Sequence, residues 1–157
     1  MKAFWKKPQY IKVPEITGSI KVSNEKPPIW DDVCGAFGIK PEAYFTYGDT
    51  IYNPSKLPLI ADIIEHEKVH MEQQKHNDVD AALWWGRYLR EPEFRLDQEA
   101  RAYGRQYEVI CSVVKDRNQR NRYLMALSRS LSGPLYNNSI GQVEAMQLIK
   151  SFAKIKQ

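Results

Sequence analysis

The stretch Leu59-Ile60-Ala61-Asp62-Ile63-Ile64-Glu65-His66-Glu67-Lys68-Val69-His70 carries two signals at once. Leu59, Ile60, Ile63 and Ile64 recur at three- and four-residue intervals, the period of an amphipathic helix, and the histidines continue that rhythm. A helix is predicted over about 55–75. On it, His66 and His70 project from one face a few ångströms apart, so two imidazole nitrogens can bind one ion. Glu67, one position past the first histidine, is aimed too far round the helix to ligate easily. It is near enough to accept a proton from a water held on that ion. Zinc with three protein ligands and one water lowers the water's pKa to about 7 and polarises a carbonyl. Glu67 is therefore the expected general base, and afterwards the general acid to a leaving amine.

Upstream of this helix, eleven prolines and glycines from Pro8 to Pro58 break the chain into short pieces. Ala43 to Tyr52, aromatic and β-branched around Gly48-Asp49, reads as a strand or short hairpin. Ile16 to Val22 is a weaker strand candidate, and Ile29 to Phe37 a short helix after Pro27-Pro28. Downstream, helices are predicted from about Val79 to Leu89, ending before Pro92, and from Pro92 through Glu99 to about Val114. A fourth is capped by Asp116 and closed near Gly133-Pro134. A fifth starts from the capping-box pattern Ser139-Ile140-Gly141-Gln142 and runs towards Ile155. The fold class is α+β: a short N-terminal β-region beside the histidine helix, then a mainly helical body.

Composition bounds the rest. At 157 residues, with 43% hydrophobic and 27% charged positions, a single domain spanning 1–157 is expected. The net charge of +4 is spread through interleaved acids, and Arg117, Arg120, Arg122 and Arg129 point around several faces of one helix, so no nucleic-acid partner is expected. No apolar run follows Lys2, Lys6 and Lys7 as a secretory signal requires, and no stretch has the length of a membrane span. Cys34 and Cys111 make neither a disulfide framework nor a zinc site. A cytoplasmic protein is the expectation.

A catalytic zinc needs a third ligand, and His76, six residues beyond His70, faces away from the pair. The segment Leu96-Asp97-Gln98-Glu99-Ala100-Arg101-Ala102-Tyr103 offers one, because a helix with Glu99 inward and the small residues Ala100 and Ala102 beside it can pack closely on the histidine helix. Two histidines and one glutamate form a known catalytic zinc set. Asp97 and Glu108 are alternatives.

His66-Glu67-x-x-His70 followed by Glu99-x-x-Ala102 on a later helix resembles the gluzincin branch of the zincin metallopeptidases, in particular minimal single-domain members. The resemblance covers roughly Tyr44 to Tyr107. The phrase from His66 through Gln73-Gln74, Trp84-Trp85, Tyr88 and Phe94-Arg95 to Glu99 also looks like small proteins of tailed phages assigned as metallopeptidases, which would place the chain in the host cytoplasm. The resemblance implies a short sheet beside the active-site helix, one Zn2+ per chain on His66, His70 and Glu99, and hydrolysis of a peptide or protein substrate. Asp97 and Glu108 do not match the family's glutamate-plus-alanine spacing.

Zincins also resemble one another in adding an extended substrate to an edge strand, for which Tyr44 to Tyr52 is the candidate. Tyr136, in the loop from Gly133 to Asn138, is the candidate oxyanion stabiliser. Tyr103, one turn after Glu99, can support the ligands from behind. Trp84, Trp85 and Tyr88 are expected in the core. A second class of function remains open, a catalytically inert zincin-like scaffold or binding protein with a structural metal site. An intact Glu67 favours the enzyme, because an inert site has no need of a base.

Overall fold

Aromatic and β-branched residues on either side of Gly48-Asp49 form the hairpin that their pattern predicts. In the computed structural model, which describes residues 20–38, 40–76 and 80–155, strand β2 (Phe45–Tyr47) turns into β3 (Thr50–Tyr52) through those two residues. Gly48 has φ 63°, the left-handed value a two-residue loop takes at its first position and glycine adopts without a Cβ clash. The Gly48 N–H donates to Gln74 Oε1 at 2.8 Å, tying the turn to the histidine helix. Strand β1 (Lys21–Ser23) pairs with β3 in parallel, giving the order β1-β3-β2. The strand candidate over 16–22 falls largely outside the described residues; within them the strand starts at Lys21.

The period of two divides this small sheet between two cores. Tyr44 and Ile51 pack on one side with Ile63 and Met71. Phe45, Tyr47 and Tyr52 pack on the other with Ile29, Val33, Trp84, Trp85 and Tyr88.

Helix α1 (Trp30–Phe37) follows Pro27-Pro28 and ends on Gly38 at φ 67°. Helix α2 (Ala61–Lys75) carries the histidines but starts six residues later than expected. Asn53 is the reason: its side chain accepts the Leu57 N–H at 2.9 Å and donates to the Leu57 carbonyl at 2.8 Å, closing a turn with Lys56 at φ 51°. Pro58 then keeps Leu57 out of the helical region. Helix α3 (Ala81–Arg90) is capped by Asp80, which accepts the Leu83 N–H at 2.8 Å; its expected start at Val79 lies outside the described residues. Helix α4 (Pro92–Val113) begins on proline, and α5 (Arg117–Leu131) on the Asp116 cap, both as expected.

A 3₁₀ turn (Pro134–Tyr136) leads to α6 (Gln142–Phe152). The expected capping box does not form. Gly141 occupies the cap position with no side-chain bond, and Gln142 instead donates to the Met125 carbonyl at 3.4 Å, joining α6 to α5. The helix stops at Phe152, short of Ile155.

Helix α4 packs along α2 on one flank and along α5 and α6 on the other. Tyr103, Tyr107, Ile110, Leu124, Leu131 and Ile149 fill the second contact. The architecture is α+β, and no described helix is long and apolar enough to cross a membrane.

Candidate metal centre

The α2–α4 contact brings His66, His70 and Glu99 together, all buried. His66 Nε2 lies 3.2 Å from His70 Nε2 and 3.1 Å from Glu99 Oε2, and His70 Nε2 lies 3.4 Å from Glu99 Oε1. An ion bound tetrahedrally at about 2.0–2.1 Å sets its ligand atoms about 3.3–3.4 Å apart. The three groups stand at that spacing.

The surrounding hydrogen bonds decide what these atoms can do. Gln106 Nε2 donates to Asp62 Oδ2 at 2.8 Å, so its Oε1, 2.9 Å from His66 Nδ1, is the end that accepts. Gln73 Nε2 donates to the Gln98 carbonyl at 3.1 Å, so its Oε1 accepts from His70 Nδ1 at 2.8 Å. Each ring thus carries a proton on Nδ1 and turns its Nε2 to the centre, where it can hold either a proton or an ion. Tyr88 donates its hydroxyl to Glu99 Oε1 at 2.7 Å, while Glu99 Oε2 is buried without a hydrogen bond. Two imidazole nitrogens and a carboxylate thus face one another in a buried place, which a cation, proton or metal, satisfies.

The electrostatics agree. Burial opposes charge on His70, but the adjacent Glu99 carboxylate, with Glu67 and Gln73, outweighs it and raises the imidazole pKa to about 9. Burial likewise opposes charge on Glu99, yet His70 and His66 hold its carboxyl far below the usual range. Burial, then the Glu99 charge, pushes the Tyr88 hydroxyl up, so it stays a proton donor to that carboxylate. Without a metal, the centre retains a proton between His70 and Glu99.

Glu67 is buried beside this cluster, and Thr46 Oγ1 donates to its Oε2 at 2.7 Å. Glu67, His70 and Glu99 together form one end of a cavity of about 60 Å³, whose other walls include Val33, Phe37, Phe45, Trp85 and Leu135.

Compared with known proteins, the chain matches no family model, no curated protein and no solved structure.

The remaining candidates take different places. Tyr103 stacks edge-on against the His66 ring, with centroids 4.7 Å apart. Tyr136 is fully buried, its side chain interacting with Tyr88 and Tyr103, and it is not among the residues that line the cavity. Trp84 packs on the His70 ring and donates from Nε1 to Gln98 Oε1 at 2.8 Å. His76 is exposed. Asp97 pairs with Arg101, and Glu108 with Arg105, so neither competes with Glu99. The Thr46 carbonyl accepts from both Gln74 Nε2 and Trp85 Nε1, at 2.8 and 2.9 Å, so the middle of the candidate edge strand is occupied by side chains.

Sequence reasoning missed Asp62, Gln73, Gln106 and Thr46. Three had a local signal. Asp62 lies four residues before His66, Gln73 three after His70, and Gln106 seven after Glu99, each on its ligand's own helix face. Thr46 comes from a distant strand and had none.

Proposed function

We propose that this chain is a zinc-dependent metallopeptidase of gluzincin type on a zincin-like fold, with His66, His70 and Glu99 as ligands and Glu67 as general base. The observation that carries the reading is the convergence of His66 Nε2, His70 Nε2 and the Glu99 carboxylate, at separations of 3.2, 3.1 and 3.4 Å, beside a buried carboxylate that no ligand role uses. Two histidines and a glutamate suit zinc. Zinc held there supplies a Lewis acid for a carbonyl oxygen and lowers the pKa of a bound water to about 7.

The chain's own groups do the rest. Thr46 anchors Glu67 by Oε2, leaving Oε1 to take a proton as the water oxygen attacks the peptide carbonyl carbon. The same oxygen delivers that proton to the nitrogen as the C–N bond breaks. Tyr88 fixes the Glu99 carboxylate, and the two glutamines fix the imidazole rings, so the ligands are oriented before an ion arrives. With the Thr46 carbonyl engaged by Gln74 and Trp85, the substrate is held mainly through the cavity rather than by strand addition at that residue. Tyr136, fully buried and outside the cavity lining, is given no oxyanion role in this scheme.

The test is metal content. Protein stripped with a chelator and reloaded is expected to retain one zinc per chain by elemental analysis, and His66→Ala and His70→Ala to lose it while folded by circular dichroism. Failure of the reloaded parent protein to retain zinc sinks the proposal.

A further inference from the structure

The cavity next to Glu67, His70 and Glu99 has a size and lining that select one kind of side chain. Its apolar walls come from four parts of the fold: Val33 and Phe37 on α1, Ala43 and Phe45 at β2, Trp85 on α3, and Leu135 on the 3₁₀ turn. The charged residues on its wall besides His70 are Glu42, Glu67 and Glu99, all acids; among the described residues no lysine or arginine lines it. An acidic ligand group meets like charge there. A cationic group must give up its hydration among aromatic and aliphatic walls, where Glu67 is already bonded to Thr46, Glu99 to Tyr88 and the histidines, and Glu42 is exposed to solvent. An uncharged apolar group fits both constraints.

Volume then separates aliphatic from aromatic. An apolar cavity of about 150 Å³ accepts a benzene ring. This one, at about 60 Å³, is less than half that size. Interiors are too closely packed to yield the difference without displacing wall residues. Val33 and Phe45, both buried, belong to the core shared by α1, the sheet and α3 and are poorly placed to move.

We infer that this cavity is a subsite for a small branched aliphatic side chain, of the valine, leucine or isoleucine class, next to the scissile bond. It rests on the peptidase reading for the identity of the chain that bears that side chain. The geometry of the cavity stands apart from that reading.

The experiment uses the full chain, metal-free and zinc-loaded, and four uncharged-backbone probes: the N-acetyl amides of glycine, leucine, phenylalanine and aspartate. Binding is followed by tryptophan fluorescence, since Trp84 and Trp85 both line the cavity, and by calorimetry. The leucine probe is expected to bind at least about tenfold tighter than the glycine probe, the minimum usually seen when methylenes fill a matched apolar pocket. Phenylalanine and aspartate probes are expected to bind no better than glycine. Equal binding of leucine and glycine, or phenylalanine or aspartate matching leucine, overturns the assignment. Zinc uptake and peptide cleavage without aliphatic preference would remove the subsite and leave the peptidase. Leucine-selective binding by a chain that takes up no zinc would remove the peptidase and leave the subsite.

Discussion

Gln106 is a neutral side chain with consequences for a charged site. It is buried between Asp62 and His66, and its orientation, set by Asp62, leaves the His66 Nε2 lone pair facing Glu99. Gln106→Leu keeps the volume and removes both bonds. Zinc affinity, measured by competition with a chromophoric chelator, is expected to fall about 10–100-fold; unchanged affinity would show that α2 alone holds the ring. The contrast between Gln106 and the histidines also marks what the sequence makes legible at this scale. A four-residue spacing is a property of one helix, so His66 and His70 could be placed together from the chain alone. Glu99 was reached through the small residues that follow it and then through resemblance, Gln106 had only a helical-face relation to Glu99, and Thr46 was reached only through the packing of the sheet on α2.

Between elements, α4 lies close against α6 at Gly104. A Cβ there would lie 2.5 Å from the Phe152 Cβ and 3.0 Å from its backbone carbon, so α6 must shift to admit it. Gly104→Ala gains up to about 1 kcal/mol of helix propensity but costs about 1–3 kcal/mol in overpacking. A lower urea midpoint is the expected outcome. A midpoint at or above the parent's would mean that the α4–α6 contact yields easily. The Asp80 cap gives an independent check on α3: Asp80→Ala is expected to cost about 1 kcal/mol by the same denaturation. Helix existence was legible here because the apolar period is strong, whereas two ends were not. The Asn53–Leu57 turn displaced the start of α2, and Gln142, expected as half of a capping box, bonds to α5 instead. Both differences come from side chains that found partners other than the nearest backbone.

At the level of the whole molecule, the His70–Glu99 pair couples stability to pH and, on the proposed reading, to metal. His70 has its pKa raised from 6.5 to about 9, so its contribution to the metal-free protein is complete below pH 6.5 and is lost as pH rises through 9. The lowered Glu99 value describes the other half of the same pair, with its share present above the usual carboxylate range and lost in acid. Metal-free protein is therefore expected to be most stable near pH 5–6.5 and to lose on the order of 3 kcal/mol by pH 9. Thermal melts across that range measure it. On the proposed reading zinc takes the place of the proton, so loading is expected to flatten the alkaline decline and to release about one proton per ion near neutral pH, read from calorimetry in buffers of different ionisation enthalpy. A melt profile with no alkaline decline would mean that the pair is not coupled as described.

The central claim, that Glu67 drives hydrolysis at a zinc held by His66, His70 and Glu99, is tested most directly by cleavage of a peptide mixture with equally zinc-loaded parent and Glu67→Gln proteins. The account predicts cleavage by the parent, and in the variant a full zinc complement with a rate lower by at least about 10²-fold. Cleavage by Glu67→Gln at the parent's rate would contradict it.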